Sequence, residues 1–126
     1  MDKENGVFMD DNIFKIDVGI GLADSELASY CYSDEDKKLT IRIRTWNTKI
    51  IAFEFSDFIL FLDRGSQDIT EFCRNANEID VFKETLAKNY EKIPESHPYK
   101  LFQFLNLDDQ PCLEIICKQF TYKIVQ

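Results

Sequence analysis

Leu39, Ile41 and Ile43 alternate with Thr40, Arg42 and Arg44, and a few residues later Ile51, Phe53 and Phe55 alternate with Ala52 and Glu54. A period of two places every second side chain on one face, so each run reads as a strand with one buried side. Two such runs in succession fix their own register. Matching Ile43 with Ile51, Ile41 with Phe53 and Leu39 with Phe55 sets Thr45 against Lys49 and leaves Trp46, Asn47 and Thr48 as the loop. A two-residue turn would instead put Leu39 opposite Glu54. A loop of this length needs a left-handed residue, for which Asn47 and Thr48 are the candidates and Asn47 is favoured on steric grounds. On the opposite face the same register sets Thr40 beside Glu54, Arg42 beside Ala52 and Arg44 near Ile50.

Further strands are expected at residues 25–32, 58–62, 99–105 and 112–125, divided by polar breaks. In the last of these Leu113, Ile115 and Cys117 hold odd positions whereas Phe120, Tyr122 and Ile124 hold even ones. The inward face therefore changes phase near Lys118 and Gln119, where a bulge or a break between two strands is expected. Between the two groups of strands the pattern reads as helix. Asp68 with Glu71 is a capping-box variant for a short helix to about Arg74, and Asn77 is an N-cap for a longer one. Along the longer helix Ile79, Phe82, Leu86, Tyr90 and Ile93 recur at helical spacing, and Pro94 is expected to end it. The fold class expected from these signals is α+β. One antiparallel sheet of about six strands would pack against a main helix and a short helix, in a single domain over residues 1–126 with a mobile segment at 1–12.

Apolar residues make up 44% of the 126-residue chain and aromatics 13%, enough to close one core but not two. Residues 1–12 are polar, with no basic stretch leading into an apolar run, so no secretory signal is read there and a cytoplasmic location is expected. No apolar stretch has the ~20 residues of a membrane helix. Cys31, Cys73, Cys112 and Cys117 are then expected as reduced thiols serving as small hydrophobes. With one histidine, His97, far in sequence from every cysteine, no metal site and no cofactor is expected.

The acid pairs Asp10–Asp11, Asp34–Asp36 and Asp108–Asp109 lie in turn-like or terminal segments, where carboxylates serve solvation and turn geometry. No serine has a nucleophile-elbow context, and Gly19–Ile20–Gly21 is too short for a phosphate loop. The chain is therefore read as non-enzymatic. A formal charge of −8 argues against direct nucleic-acid binding and favours a cationic partner.

Aromatics flank the acidic turns: Tyr30 and Tyr32 precede Asp34, Glu35 and Asp36, and Trp46 tips the next loop. The runs DSELASYCYSDEDKKLTIRIRTWNTKIIAFEFSD (Asp24 to Asp57) and YKLFQFLNLDDQPCLEI (Tyr99 to Ile115) resemble small acidic bacterial proteins taken to be immunity proteins of polymorphic or contact-dependent toxin systems. That resemblance implies an antitoxin that binds a cognate, basic toxin domain and covers its substrate groove. Asp34, Glu35, Asp36, Trp46, Asp108 and Asp109 are the expected contact residues, as loop residues free of core duties. The alternative is a small-ligand carrier or enzyme with an aromatic pocket lined by Phe53, Phe55, Phe102, Phe104 and Tyr122.

Overall fold

The hairpin of β3 (Lys38–Arg44) and β4 (Ile50–Ser56) takes the register its alternation dictates, with Leu39 on Phe55, Ile41 on Phe53 and Ile43 on Ile51. Thr45 N–H donates to Lys49 O across the loop at 2.8 Å. The left-handed residue of that loop is Thr48 (φ 63°), not the favoured Asn47. Asn47 is used instead for its side chain, whose Oδ1 accepts from Thr45 Oγ1.

The computed structural model describes residues 12–65 and 68–125. The expectation of a mobile segment at 1–12 falls, except for Asn12, outside these residues. The other strands are β1 (Ile13–Lys15), β2 (Glu26–Ser33), β5 (Leu60–Asp63), β6 (Ile69–Asn75), β7 (Lys100–Asn106), β8 (Pro111–Cys117) and β9 (Gln119–Ile124), with one helix, α1 (Asp80–Asn89). They form two antiparallel sheets, one in the order β1-β6-β7-β8-β5 and one in the order β2-β3-β4-β9. The α+β expectation of one sheet under a main and a short helix is overturned: the architecture is mostly β, with two sheets and a single helix among the described residues.

The inner faces of the two sheets make the core. Ile41, Ile43, Ile51, Phe53 and Phe55 from one meet Ile69, Phe72, Phe104, Leu113 and Ile115 from the other, all without solvent exposure. Phe72 is the hub, with ring centroids 4.9 Å from Phe53, 4.6 Å from Phe104 and 5.2 Å from Phe120. Full burial of each such side chain contributes about 1.5–3 kcal/mol. Four of the five rings assigned to an aromatic pocket pack into the core, with Phe53, Phe55 and Phe104 fully buried and Phe102 3% exposed, whereas the fifth, Tyr122 on β9, is 42% exposed. The outer face of the five-stranded sheet carries Leu101 and Ile116, which Phe82 and Leu86 of α1 cover.

The sheets are joined at two places. β8 runs into β9 through the bend at Lys118, where the inward face changes phase, so the expected break is the passage of the chain from one sheet to the other. Elsewhere Ser25 and Ile69 exchange backbone bonds of 3.1 and 2.8 Å just before β2 and at the start of β6.

The expected short helix from Asp68 is strand β6. A register shift between Ile69 and Glu71 turns both Ile69 and Phe72 inward, so a bulged strand carries the three-residue spacing of a helix. The main helix is shorter than its apolar pattern. Ile79 rather than Asn77 is the N-cap, because Asn77 Oδ1 accepts from Asn12 Nδ2 at 3.1 Å. At the other end Tyr90 is extended, its ring 6.1 Å from that of Tyr99, so the helix stops before Pro94.

Candidate functional site

Two turns share one construction. In each, the first residue donates its N–H to the fifth (Thr45 to Lys49 O, 2.8 Å; Asn106 to Gln110 O, 2.9 Å). The fourth residue is left-handed, Thr48 at φ 63° and Asp109 at φ 59°, and donates back to the first residue's carbonyl at 3.0 and 2.9 Å. The first side chain braces the turn from within. Thr45 Oγ1 accepts from Lys49 N–H at 3.1 Å, and Asn106 Oδ1 accepts from the N–H groups of Asp108 and Gln110 at 2.9 and 3.0 Å. With the backbone satisfied this way, the second position is free of structural duty. It carries Trp46 in one turn and Leu107 in the other, 64% and 72% exposed.

The registers place these turns at one end of the sandwich. Arg44, beside the first turn, pairs with Glu26; the neighbouring Ser25 bridges to Ile69; Ile69 pairs with Asn106, which opens the second turn. Three lateral steps at strand spacing separate them by ~15 Å. Val125 joins the same end, its N–H 2.8 Å from Ile50 O, and is 44% exposed. Next to these turns, to Val125 or to the Ser25–Ile69 bridge in sequence or register lie Asp24, Glu26, Asp63, Asp68, Asp108 and Asp109, against Arg44, Lys49, Arg64 and Lys123. Arg44 is held by Glu26 at 2.6 Å, so the free charge of this end is negative.

The six residues singled out in the sequence are thus divided. Trp46, Asp108 and Asp109 come together, whereas Asp34, Glu35 and Asp36 lie in the β2–β3 turn at the far end of β3, whose 7 residues span about 23 Å. There Asp36 N–H donates to Ser33 Oγ at 3.2 Å, and Phe58 N–H donates to the carbonyl of the left-handed Lys37 at 3.3 Å. Leu107 went unnoticed in the sequence, although its place in Asn106–Leu107–Asp108–Asp109 matches that of Trp46 in Thr45–Trp46–Asn47–Thr48.

Chemistry elsewhere is committed to structure. Glu114, whose side chain is 3% exposed, bonds through one oxygen to Arg64 Nε and through the other to Gln103 Nε2 at 2.9 Å, and Gln103 Oε1 accepts from Asn75 at 3.1 Å. Both carboxylate oxygens are engaged, as burial of a charge requires. His97 stacks edge-on against Phe82 at 5.7 Å beside a cleft of about 520 Å³ under α1, and its buried Nδ1 finds no hydrogen-bond partner among the described residues. Cys73, Cys112 and Cys117 are buried free thiols. Burial pushes Cys73 and Cys117 up to about 12 and Cys112 above its ordinary value. Cys31 departs from the expected pattern in being exposed. Among the described residues no cluster of three or more His, Cys, Asp or Glu forms a metal cage, and no helix is long and apolar enough to cross a membrane.

Fold and site together define a two-sheet β protein with an acid-rimmed apolar end. No protein-family model, curated protein or solved structure matches the chain.

Proposed function

We propose that this protein is a non-catalytic binding protein whose Trp46–Leu107 end docks onto a basic protein partner, in the manner of a cytoplasmic immunity protein that neutralises a bacterial toxin. The observation that carries the reading is the pair of self-braced turns, which hold two large apolar side chains in solvent, with Asp108 and Asp109 in the second turn and Asp24 and Asp68 next to the Ser25–Ile69 bridge that lies between the turns. Tryptophan at the centre of a contact, inside a rim of charge, is the arrangement that supplies affinity at protein interfaces. The surrounding carboxylates speed the approach of a cationic surface. Carboxylates would pair with the Lys and Arg that line a toxin's substrate groove, while Trp46 and Leu107 supply the desolvated contact.

The toxin part of the reading is supported by the sequence resemblance together with the negative charge. Its test is co-expression with the polypeptide encoded immediately upstream. The expected results are rescue of growth and co-purification as a complex, with both lost in the Trp46→Ala, Leu107→Ala double variant. A neighbour that is neither toxic nor bound removes the immunity assignment.

A further inference from the structure

Each sheet has two edges, and three of the four are guarded against strand addition. β1 has 3 residues and carries Lys15, β5 has 4 and ends in Asp63, and β9 carries Lys123. Short length and charge are the usual protections of an unpaired edge. β2 has 8 residues, and from Leu27 to Ser33 it contains neither a charge nor a proline. Among the described residues nothing pairs with its outer side.

The pairing of β2 with β3 shifts between Leu27 and Ser29, which leaves Ser29–Ser33 as a regular run. In it Tyr30 lies opposite Ile41 and Tyr32 opposite Leu39, so both tyrosines are on the inner face, yet they are 48% and 60% exposed. The Tyr30 ring lies 4.9 Å from Phe61 of the neighbouring sheet, and the Tyr32 ring 6.1 Å from Phe58 in the connection between β4 and β5. The open side of the sandwich is thus a run of unpaired backbone donors and acceptors next to an aromatic shelf. Asp34, Glu35 and Asp36 follow at the end of the run, ahead of Lys37 and of Lys38, which pairs with Glu54 at 3.4 Å.

We infer that β2 is a strand-addition site, taking at Ser29–Ser33 an extended segment of a partner with Lys or Arg at the end beside Asp34–Asp36. Backbone bonds would supply much of the affinity, and alternate apolar residues of the segment would rest on Tyr30, Tyr32 and Phe61. Charge selects this occupant over a second copy. Antiparallel self-pairing centred on Cys31 sets Asp36 of one chain against Glu26 of the other, and parallel self-pairing sets the acidic turns against themselves. The inference rests on the proposed binding function only for the sign of the partner's charge, and it concerns a different surface.

The test uses a synthetic nine-residue peptide of alternating threonine and valine with two lysines at its N-terminal end, which antiparallel addition sets beside Asp34–Asp36. Its controls are the same peptide with two glutamates at that end and a copy N-methylated at three successive central residues. Amide hydrogen exchange of Ser29–Ser33 in the intact protein is the readout, with alkylation of exposed Cys31 as a second. The lysine-ended peptide is expected to slow exchange across this run about tenfold or more, the N-methylated copy not at all, and the glutamate-ended one far less. No protection by the lysine-ended peptide at about 1 mM overturns the site. Equal protection by both charged peptides overturns the choice of partner. Protection that rises with protein concentration without peptide shows a second copy there and likewise overturns it. Loss of this site with an intact Trp46-dependent complex refutes strand addition alone, and the reverse result refutes only the proposed function.

Discussion

At one end of the sandwich the Thr45–Lys49 and Asn106–Gln110 turns satisfy their own backbone and hold Trp46 and Leu107 out in water. At the other end the acidic turn after β2 leans on its neighbours, through the Phe58 N–H to Lys37 O bond and the Tyr32 ring near Phe58. The two ends differ in which turn residues are left free of structural duty. Carboxylates occur at both ends because they suit turns and water, so they do not single out a site. A large apolar side chain left exposed on a turn that does not need it does single one out.

The largest effect is expected from the core that both ends share. Burial holds the thiols of Cys73 and Cys117 at about 12 against an ordinary 9.0, so the folded protein keeps protons that the unfolded chain loses. Their stabilisation is complete below pH 9 and declines as pH rises towards 12, by up to about 1.4 kcal/mol per pH unit for each thiol. Urea unfolding between pH 8 and 11 should show this decline with both ends melting together, and Cys73→Ala, Cys117→Ala should flatten it. Next in size is the contact itself. Replacing Trp46 and Leu107 together by Ala should weaken partner binding by about 100-fold or more in calorimetry, while Tm stays close to that of the parent.

The bracing of the turns is probed by Asn106→Ala, which strips the acceptor from two backbone N–H groups and should cost about 1–2 kcal/mol in urea unfolding. Ser33→Ala, which removes one exposed acceptor at the other end, should cost less than about 0.5 kcal/mol. Thr48→Gly relieves a β-branched residue from a left-handed conformation and should gain up to about 1 kcal/mol in thermal unfolding. The smallest effect expected is on association rate. Asp108→Asn with Asp109→Asn should slow it by less than about tenfold and flatten its salt dependence near 0.15 M, where the screening length is ~8 Å. The same neutralisation of Asp34, Glu35 and Asp36 should change the rate of Trp46-dependent docking less than that. A larger effect from the β2–β3 turn would move the contact to the other end.

The β3–β4 register was legible, because alternation over both strands rules out every one-residue slip, and the pairing of Leu39, Ile41 and Ile43 with Phe55, Phe53 and Ile51 closes on a three-residue loop. The phase change at Lys118 was legible too, though not its meaning as a crossing between sheets. β6 was misread because its bulge spaces Ile69 and Phe72 as a helix would. Of the candidate site, Trp46, Asp108 and Asp109 could be read as loop residues, whereas Leu107 was passed over because one leucine among turn formers stands out only beside the matching turn.

Local periodicity and composition are enough for the strands with unbroken alternation, the apolar face of α1 and the surplus of negative charge. Three features required the folded chain: the strands divide into two sheets, Asn77 binds Asn12 instead of capping the helix, and two turns 61 positions apart (Asn106 less Thr45) share one end while the Asp34 turn faces away. The first and third follow from the Ser25–Ile69 bridge and the bend at Lys118, and the second from the pairing of β1 with β6, which sets Ile13 against Asn75. All depend on which strands meet in space, and no local pattern encodes that.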